Sequence, residues 1–305
     1  MFGFTRYNYE RFSPELMRRD MMAGFPGPEP GDRAPDFESR TLEGDKVRLS
    51  GYQGRKNVVL TFGSVTCPAT AASIGGMNEV YDQFRGDDVE FLFVYVREAH
   101  PGELIPAHES MEHKAASAEI LREEEGMEMP IVVDDLRGTI HRRYSKLPNP
   151  TYIIDRSGRI AFRAKYTRPE VIAEALEELL ERQQERGTDH AIVAGGEDTT
   201  MPKLRPMLHA YRAVERGGDV ALRDFRDAIG MPGRMMLAAS RTIEPVALNP
   251  GKTLTGVALA AAVLTGAVFA GRELRKRRTR GPYDIHRPRR RGTQEGDTDY
   301  EAVGI

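Results

Sequence analysis

NVVLTFGSVTCPATAASIGGMNEVYDQF, residues 57–84, decides the fold. Its opening run, residues 57–62, is apolar and rich in β-branched side chains, the composition of a buried strand. Gly63 and Ser64 break the run, and Ile74, Met77, Tyr81 and Phe84 then recur at helical spacing. A strand therefore feeds a helix through a turn that holds Cys67. Backbone N–H groups left unpaired at a helix start, together with the helix dipole, favour an anion. A thiol at that point is expected to be partly ionised, as a reactive cysteine requires.

Further along, residues 89–96 are almost wholly apolar, as in a strand covered on both faces, and charge resumes at Arg97. Residues 130–133 make another buried strand. Residues 151–154 and 159–162 flank DRSG, whose Asp155, Ser157 and Gly158 suit a hairpin turn. Thr167 and Glu170 read as a capping box, opening a helix that aligns Ile172, Leu176, Leu179 and Leu180 and runs towards Arg182. Strands alternating with helices and closing on a strand pair and a helix describe an α/β mixed central sheet with helices on both faces. Catalysis is then expected at the strand ends after residues 62 and 96.

Around this core the chain divides into five parts. Residues 1–34 form an N-terminal arm whose end, GFPGPEPGDRAP, is too dense in Pro and Gly for regular structure, and residues 35–183 form the sheet domain. Residues 184–250 are a polar, Gly-rich linker and a helical neck, with helical signals at 208–214 and 221–229. Its methionines read as adaptable packing rather than a metal site. Residues 254–271, LTGVALAAAVLTGAVFAG, carry no charge, and we read 253–272 as a single transmembrane helix, with a buried or amphipathic helix as the alternative. Ala258, Ala262, Gly266 and Ala270 put small side chains on one stripe, which would suit pairing with a second copy, a homodimer. Residues 273–305 form a basic, disordered tail that could bind anionic lipid heads.

The net charge is −2, but residues 251–305 hold 11 Lys and Arg against 6 Asp and Glu, and the rest hold 33 against 40. That balance gives no reason to expect nucleic-acid binding. The first 25 residues contain no uninterrupted apolar stretch of a secretory signal, whereas the basic flank after residue 271 should stay cytoplasmic. The two signals conflict, and we favour a cytoplasmic catalytic domain on a membrane-anchored chain. A single cysteine excludes an intrachain disulfide, a cysteine-rich zinc site and a self-contained two-cysteine redox cycle. His108 and His113 stand five apart in HESMEH, one residue too far for the zinc-helix spacing, so they read as a solvated helix or loop. No metal and no bound cofactor are expected, and Gly75-Gly76 and Gly195-Gly196 lack the spacing of a phosphate loop.

FGSVTCP, with YVREAHPGE beginning 28 residues after Cys67, resembles the iodothyronine deiodinases, thioredoxin-fold enzymes with selenocysteine where this chain has Cys67. PGDRAPDF and NPTYIIDRSGRI resemble the wider redoxin and peroxiredoxin superfamily, including its proline before a strand, often cis, here Pro150. The resemblance covers roughly residues 30–183. It implies a thioredoxin-like fold, with Cys67 as nucleophile, Ser64 as its hydroxyl neighbour, and Tyr95, Glu98 and His100 as supporting catalytic groups. Thr66 and Pro150 would contact substrate. His100 would protonate a leaving group, with Glu98 setting its charge state.

The implied partners are a small electrophile, an aryl halide or a peroxide, and an external thiol reductant. Val65 and Thr70 are not cysteines, so an oxidised Cys67 needs an outside thiol. SVTCP also resembles the peroxiredoxin pattern, with Leu60 where that pattern has proline. Two alternatives therefore stay open: a one-cysteine peroxidase, and a non-catalytic membrane-tethered module whose thiol is only packed.

Overall fold

A computed structural model describes residues 7–22, 24–86, 88–193, 195–200 and 205–247. The transmembrane span at 253–272 and the basic tail lie outside the described residues. Among the described residues no helix is long and apolar enough to cross a membrane.

Helix α1 (Pro14–Met22) is followed by a hairpin of β1 (Glu38–Arg40) and β2 (Lys46–Arg48). Strand β3 (Asn57–Gly63), helix α2 (Pro68–Phe84) and strand β4 (Val89–Tyr95) form a parallel unit. Helix α3 (Met111–Glu125) starts at Ser110, whose side chain accepts the His113 N–H at 3.2 Å. It stops at Gly126, whose φ of +64° is a left-handed conformation that glycine adopts without strain. Then come β5 (Ile131–Val133), α4 (Thr139–Tyr144), the antiparallel pair β6 (Thr151–Ile154) and β7 (Ile160–Ala164), and α5 (Pro169–Arg186). Strand β8 (Glu197–Asp198) is followed by α6 (Arg205–Leu208), α7 (Ala210–Glu215), α8 (Asp219–Ile229) and α9 (Met231–Ala247).

The main sheet has the order β5-β4-β3-β6-β7-β8. Strands β3, β4 and β5 are mutually parallel, while β6 runs antiparallel to both β3 and β7. A parallel βαβ unit joined edge to edge with an antiparallel hairpin and a closing helix is the thioredoxin-like arrangement expected. Strand alternation divides the core. Val59, Phe91, Phe93 and Ile153 pack towards α2, α3 and α5, whereas Leu60, Phe62, Val94 and Tyr152 pack towards α4 and the β1–β2 hairpin. Helices thus cover both faces, and β3 and β4 are apolar throughout because both of their sides are covered.

Two local expectations are corrected. The capping box at Thr167 does not form: Arg168 is the cap residue of α5 and makes no side-chain cap hydrogen bond, with Pro169 in the first turn. The Thr167 hydroxyl is instead engaged with Thr151 at 2.7 Å and the Asn149 carbonyl at 3.2 Å, tying the helix start to β6. The segment read as a polar linker adds a strand to the sheet, because Ala191 and Val193 are buried and the Val193 N–H donates to Ala161 O at 3.2 Å.

Arm, sheet domain and the helices after residue 204 belong to one folded unit. Glu103 caps α8, its two carboxylate oxygens accepting the N–H groups of Asp219 at 2.6 Å and Val220 at 2.9 Å. Arg97 holds the arm: it donates to Tyr7 O at 2.8 Å, and its guanidinium lies 4.9 Å from the Tyr9 ring centre. Arg11 forms a two-pronged pair with Asp224 of α8.

Candidate active site

Cys67 is the N-cap residue of α2, with Pro68 fixing the first turn. The turn that carries it, residues 63–67, leaves the end of β3, and the loop beyond β4 carries Glu98 and His100 alongside it. The side-by-side pairing of β3 and β4, with Gly63 opposite Tyr95, brings the two motifs together. Val96 N–H donates to Gly63 O at 3.0 Å and Ala99 N–H to the Ser64 hydroxyl at 3.1 Å, which fixes one loop against the other.

Behind Cys67 lies a buried polar network centred on Glu98, which is 2% exposed. Its Oε2 accepts the Thr66 hydroxyl at 2.6 Å and the Thr66 N–H at 3.2 Å. Its Oε1 accepts the Tyr95 hydroxyl and lies 3.1 Å from Nε2 of His108. Tyr95 in turn accepts the Val65 N–H at 3.2 Å. Burial raises the Glu98 carboxyl, but His108, Thr66 and Tyr95 outweigh it and hold the group below the usual range. The Tyr95 hydroxyl is pushed well up, by burial first and by Glu98 second. The carboxylate is thus kept ionised and the phenol kept protonated.

Cys67 itself is 3% exposed. Burial pushes its thiol up, and the charge of Glu98 adds to this. The Thr70 hydroxyl and the N–H groups of Thr70 and Ala69 pull the other way without prevailing. The expectation of a partly ionised thiol at the helix start is therefore corrected: desolvation outweighs the helix terminus. Another correction concerns the hydroxyl beside the sulfur, which belongs to Thr70 rather than Ser64. Ser64 serves the backbone, accepting from Ala99, while its carbonyl accepts the Cys67 N–H at 3.2 Å.

A cavity of about 170 Å³ opens onto Cys67 and is lined also by Ala99, His100, Pro148 and Tyr166 of the sheet domain. Neither proposed substrate contact lines it. Thr66 faces Glu98, and Pro150 sits in extended backbone whose carbonyl accepts Phe62 N–H at 3.0 Å. The Asn149–Pro150 peptide is trans, as are all described peptide bonds. Pro148 takes the position at the cavity.

His100 is placed in this cavity, but Glu98 does not bond its ring. The imidazole lies between Phe12, at 4.4 Å, and Phe225, at 5.1 Å, both edge to face. Burial lowers its pKa to about 3, so the ring is neutral at physiological pH. Its Nδ1 is buried and has no hydrogen-bond partner among the described residues.

Sequence reasoning missed His108, read as solvated, which is 5% exposed and faces Glu98. It also missed Phe12 and Phe225. His108 stands ten residues past Glu98 in an irregular loop, so no periodicity marks it. Among the described residues no cluster of three or more His, Cys, Asp or Glu could hold a metal ion.

A family model described as iodothyronine deiodinase matches residues 17–184. The chain is 29% identical over 160 residues to type I iodothyronine deiodinase of Xenopus laevis, covering 48% of this chain and 62% of that protein. It is 32% identical over 131 residues to the thiol-disulfide oxidoreductase ResA of Geobacillus kaustophilus, covering 43% of this chain and 66% of that one. Among solved structures, one of a putative protein disulfide isomerase from Bacteroides thetaiotaomicron is similar, with a TM-score of 0.42 and 20% identity over 52% of this chain and 95% of that one. The chain spans less than two thirds of the length of the curated relatives it matches.

Proposed function

From the premise that the chain belongs to the iodothyronine deiodinase family, we propose that it is a thiol-dependent oxidoreductase in which Cys67 attacks a soft electrophile. The observation that carries this reading is the position of Cys67: at the start of α2, on a cavity shared with a neutral histidine whose Nδ1 has no partner among the described residues, and backed by a buried carboxylate network.

For an aryl halide the first step is Cys67–SH + Ar–X → Cys67–S–X + Ar–H. The C–X bond breaks, sulfur is oxidised, and the proton that leaves sulfur is matched by the one gained at the ring carbon. His100 is the group in the cavity that can pass it, accepting at one nitrogen and donating from the other. An external thiol then gives Cys67–S–S–R and HX, and a second thiol restores Cys67–SH and releases RS–SR. For a peroxide the first products are Cys67–SOH and an alcohol, and two thiols then restore the cysteine with loss of water. Glu98 holds Thr66, whose hydroxyl oxygen accepts the backbone N–H of His100 at 3.0 Å, so it positions the loop rather than reacting.

The test is halide release from 4-iodophenol and consumption of hydrogen peroxide, each with excess dithiothreitol, by the full chain and by Cys67→Ser. Loss of one of these activities in a folded Cys67→Ser chain supports the reading and tells which electrophile is used. A second reading, a non-catalytic module, rests on the burial of Cys67 and its raised thiol pKa. It requires that neither reaction occurs and that Cys67→Ser changes nothing.

We further read residues 253–272 as a membrane anchor, from the uncharged 18-residue run 254–271 within them and the basic flank. Retention of the full chain in alkaline-washed membranes, and its loss from a chain ending at residue 250, tests this.

A further inference from the structure

The segment that matches the family begins at residue 17, and residues 7–12 of the arm precede it. Yet the bonds these residues make fall on the backbone beside Glu98, His100 and His108. The Tyr9 hydroxyl donates at 2.8 Å to Ala99 O, the carbonyl between Glu98 and His100. Asn8 Nδ2 donates to His108 O at 3.2 Å and to Leu136 O at 3.0 Å. The rings of Phe12 and His100 meet edge to face, 4.4 Å apart.

Arg97, which directly precedes Glu98, gathers these contacts, and its side chain is buried. Its Nη1 donates to Tyr7 O at 2.8 Å. Its Nη2 donates at 3.2 Å to Lys146 O, two residues before Pro148 at the cavity. The guanidinium lies 5.1 Å from the Tyr7 ring centre and 4.9 Å from that of Tyr9, so two aromatic rings meet its charge. A planar fork of fixed donors suits this place, because one group can hold carbonyls from two different segments and still lie against the rings.

A seat for the arm is built into the sheet domain. Tyr7 is buried, with its hydroxyl 2.9 Å from Nδ1 of His141. Its ring fills the space beside Gly138, where an added Cβ would stand 2.1 Å from Cζ of Tyr7. The φ of Gly138 is +69°, so conformation and space both favour glycine there. At the far end Arg11 pairs with Asp224 of α8. An arm that only covered apolar surface would need no more than side-chain packing, whereas this one is hydrogen-bonded to the carbonyls of Ala99, His108 and Leu136.

We propose that the arm, gripped by Arg97, positions the loop of residues 97–100, so that residues outside the family-matched segment set where Glu98 and His100 stand. The consequence for turnover rests on the oxidoreductase reading, and the consequence for the loop does not.

Tyr9→Phe in the full chain is the narrowest test, because it removes one hydroxyl and keeps the ring that faces Arg97. Amide hydrogen exchange is measured over residues 97–104 and over β6 and β7. In parallel, kcat and KM are measured for whichever of 4-iodophenol and hydrogen peroxide is turned over. Exchange over 97–104 should rise about fivefold, the scale of one hydrogen bond, with β6 and β7 unchanged. kcat should fall on the same scale while KM holds, the pattern of an interaction lost in the transition state alone. Arg97→Lys, which puts one compact charge in place of the fork, should do both more strongly. Tyr9→Phe carries the test if Arg97→Lys fails to fold.

Unchanged exchange over 97–104 in Tyr9→Phe overturns the proposal. So does a rise shared equally by β6 and β7, which would mark the arm as general packing. A looser loop with unaltered kcat overturns it as well. Faster exchange confined to 97–104, in a chain that turns over neither compound, supports the positioning and sinks the oxidoreductase reading.

Discussion

Nη1 of Arg216 donates to the carbonyl oxygen of Val65 at 3.2 Å, two residues before Cys67. The same guanidinium pairs with Glu125 at 2.7 Å and Glu124 at 2.6 Å, and the Arg216 and Glu125 side chains are only 7% and 5% exposed. Arg212 meets the other oxygen of Glu125 at 2.7 Å. A segment read from sequence as a neck beyond a linker is therefore bonded to the loop that carries Cys67.

Arg216→Ala should cost about 3 kcal/mol, because it strips one of the two arginines that pair with the buried Glu125 carboxylate among the described residues. Urea unfolding measures the loss. Cys67 should also alkylate faster at constant pH as the neck loosens. An unchanged alkylation rate would mean that the neck does not shield the thiol.

Gly102→Ala separates neck docking from charge. Its Cβ would stand 2.1 Å from Gly217 O and 3.0 Å from Ala221 N, so backbone must move. Faster reaction of Cys67 with bulky thiol reagents is expected, together with a lower melting temperature. Gly75→Ala is the matched control: it lies within α2 with nothing within 4 Å of the new Cβ, and should stabilise by about 0.5–1 kcal/mol.

The alkylation rate of Cys67 should still be rising at pH values where an ordinary thiol, with a pKa of about 8.5, has levelled off. Burial is the first cause and the charge of Glu98 another. Glu98→Gln removes that charge, so the midpoint of the pH–rate profile should move to lower pH. A midpoint that stays or rises would contradict the placement of Glu98 as the carboxylate felt by the sulfur. Because the thiol pKa is higher folded than unfolded, its contribution to stability is fully present below about pH 8.5 and is lost as pH rises towards the folded value.

His100 and His141 both have pKa values lowered to about 3 by burial. The unfolded chain takes up protons near pH 6.5 that these folded rings refuse, so their contribution is whole above that pH and is lost as pH falls towards 3. The melting temperature should drop from pH 6.5 downward. His141 bonds Tyr7 at 2.9 Å and Leu147 O at 2.7 Å, so His141→Gln should lower stability at pH 7 yet flatten the acid slope. A slope unchanged in that variant would contradict a neutral buried His141.

The strands at 57–63, 89–95, 131–133 and 151–154 were legible because burial on both faces leaves uninterrupted apolar runs. The helix capped by Cys67 was legible from the break at Gly63 and Ser64 and the helical spacing of Ile74, Met77, Tyr81 and Phe84. Chemistry inside the site was less so. Local sequence places Cys67 at a helix terminus, which favours a thiolate, but only its burial in the tertiary structure shows that desolvation wins. His108 was read as solvated because its value lies in one contact with Glu98 across a loop. Thr70 was noted only as not being a cysteine, although its hydroxyl is the one that meets the sulfur.

The most direct test of the account is to trap the intermediate. The full chain is given one equivalent of the electrophile that it turns over and then one equivalent of a small thiol, and is mapped by peptide mass spectrometry. Formation of a mixed disulfide on Cys67, at a rate no slower than turnover and reversed by further thiol, is the predicted result. Turnover that proceeds with Cys67 unmodified throughout would contradict the account.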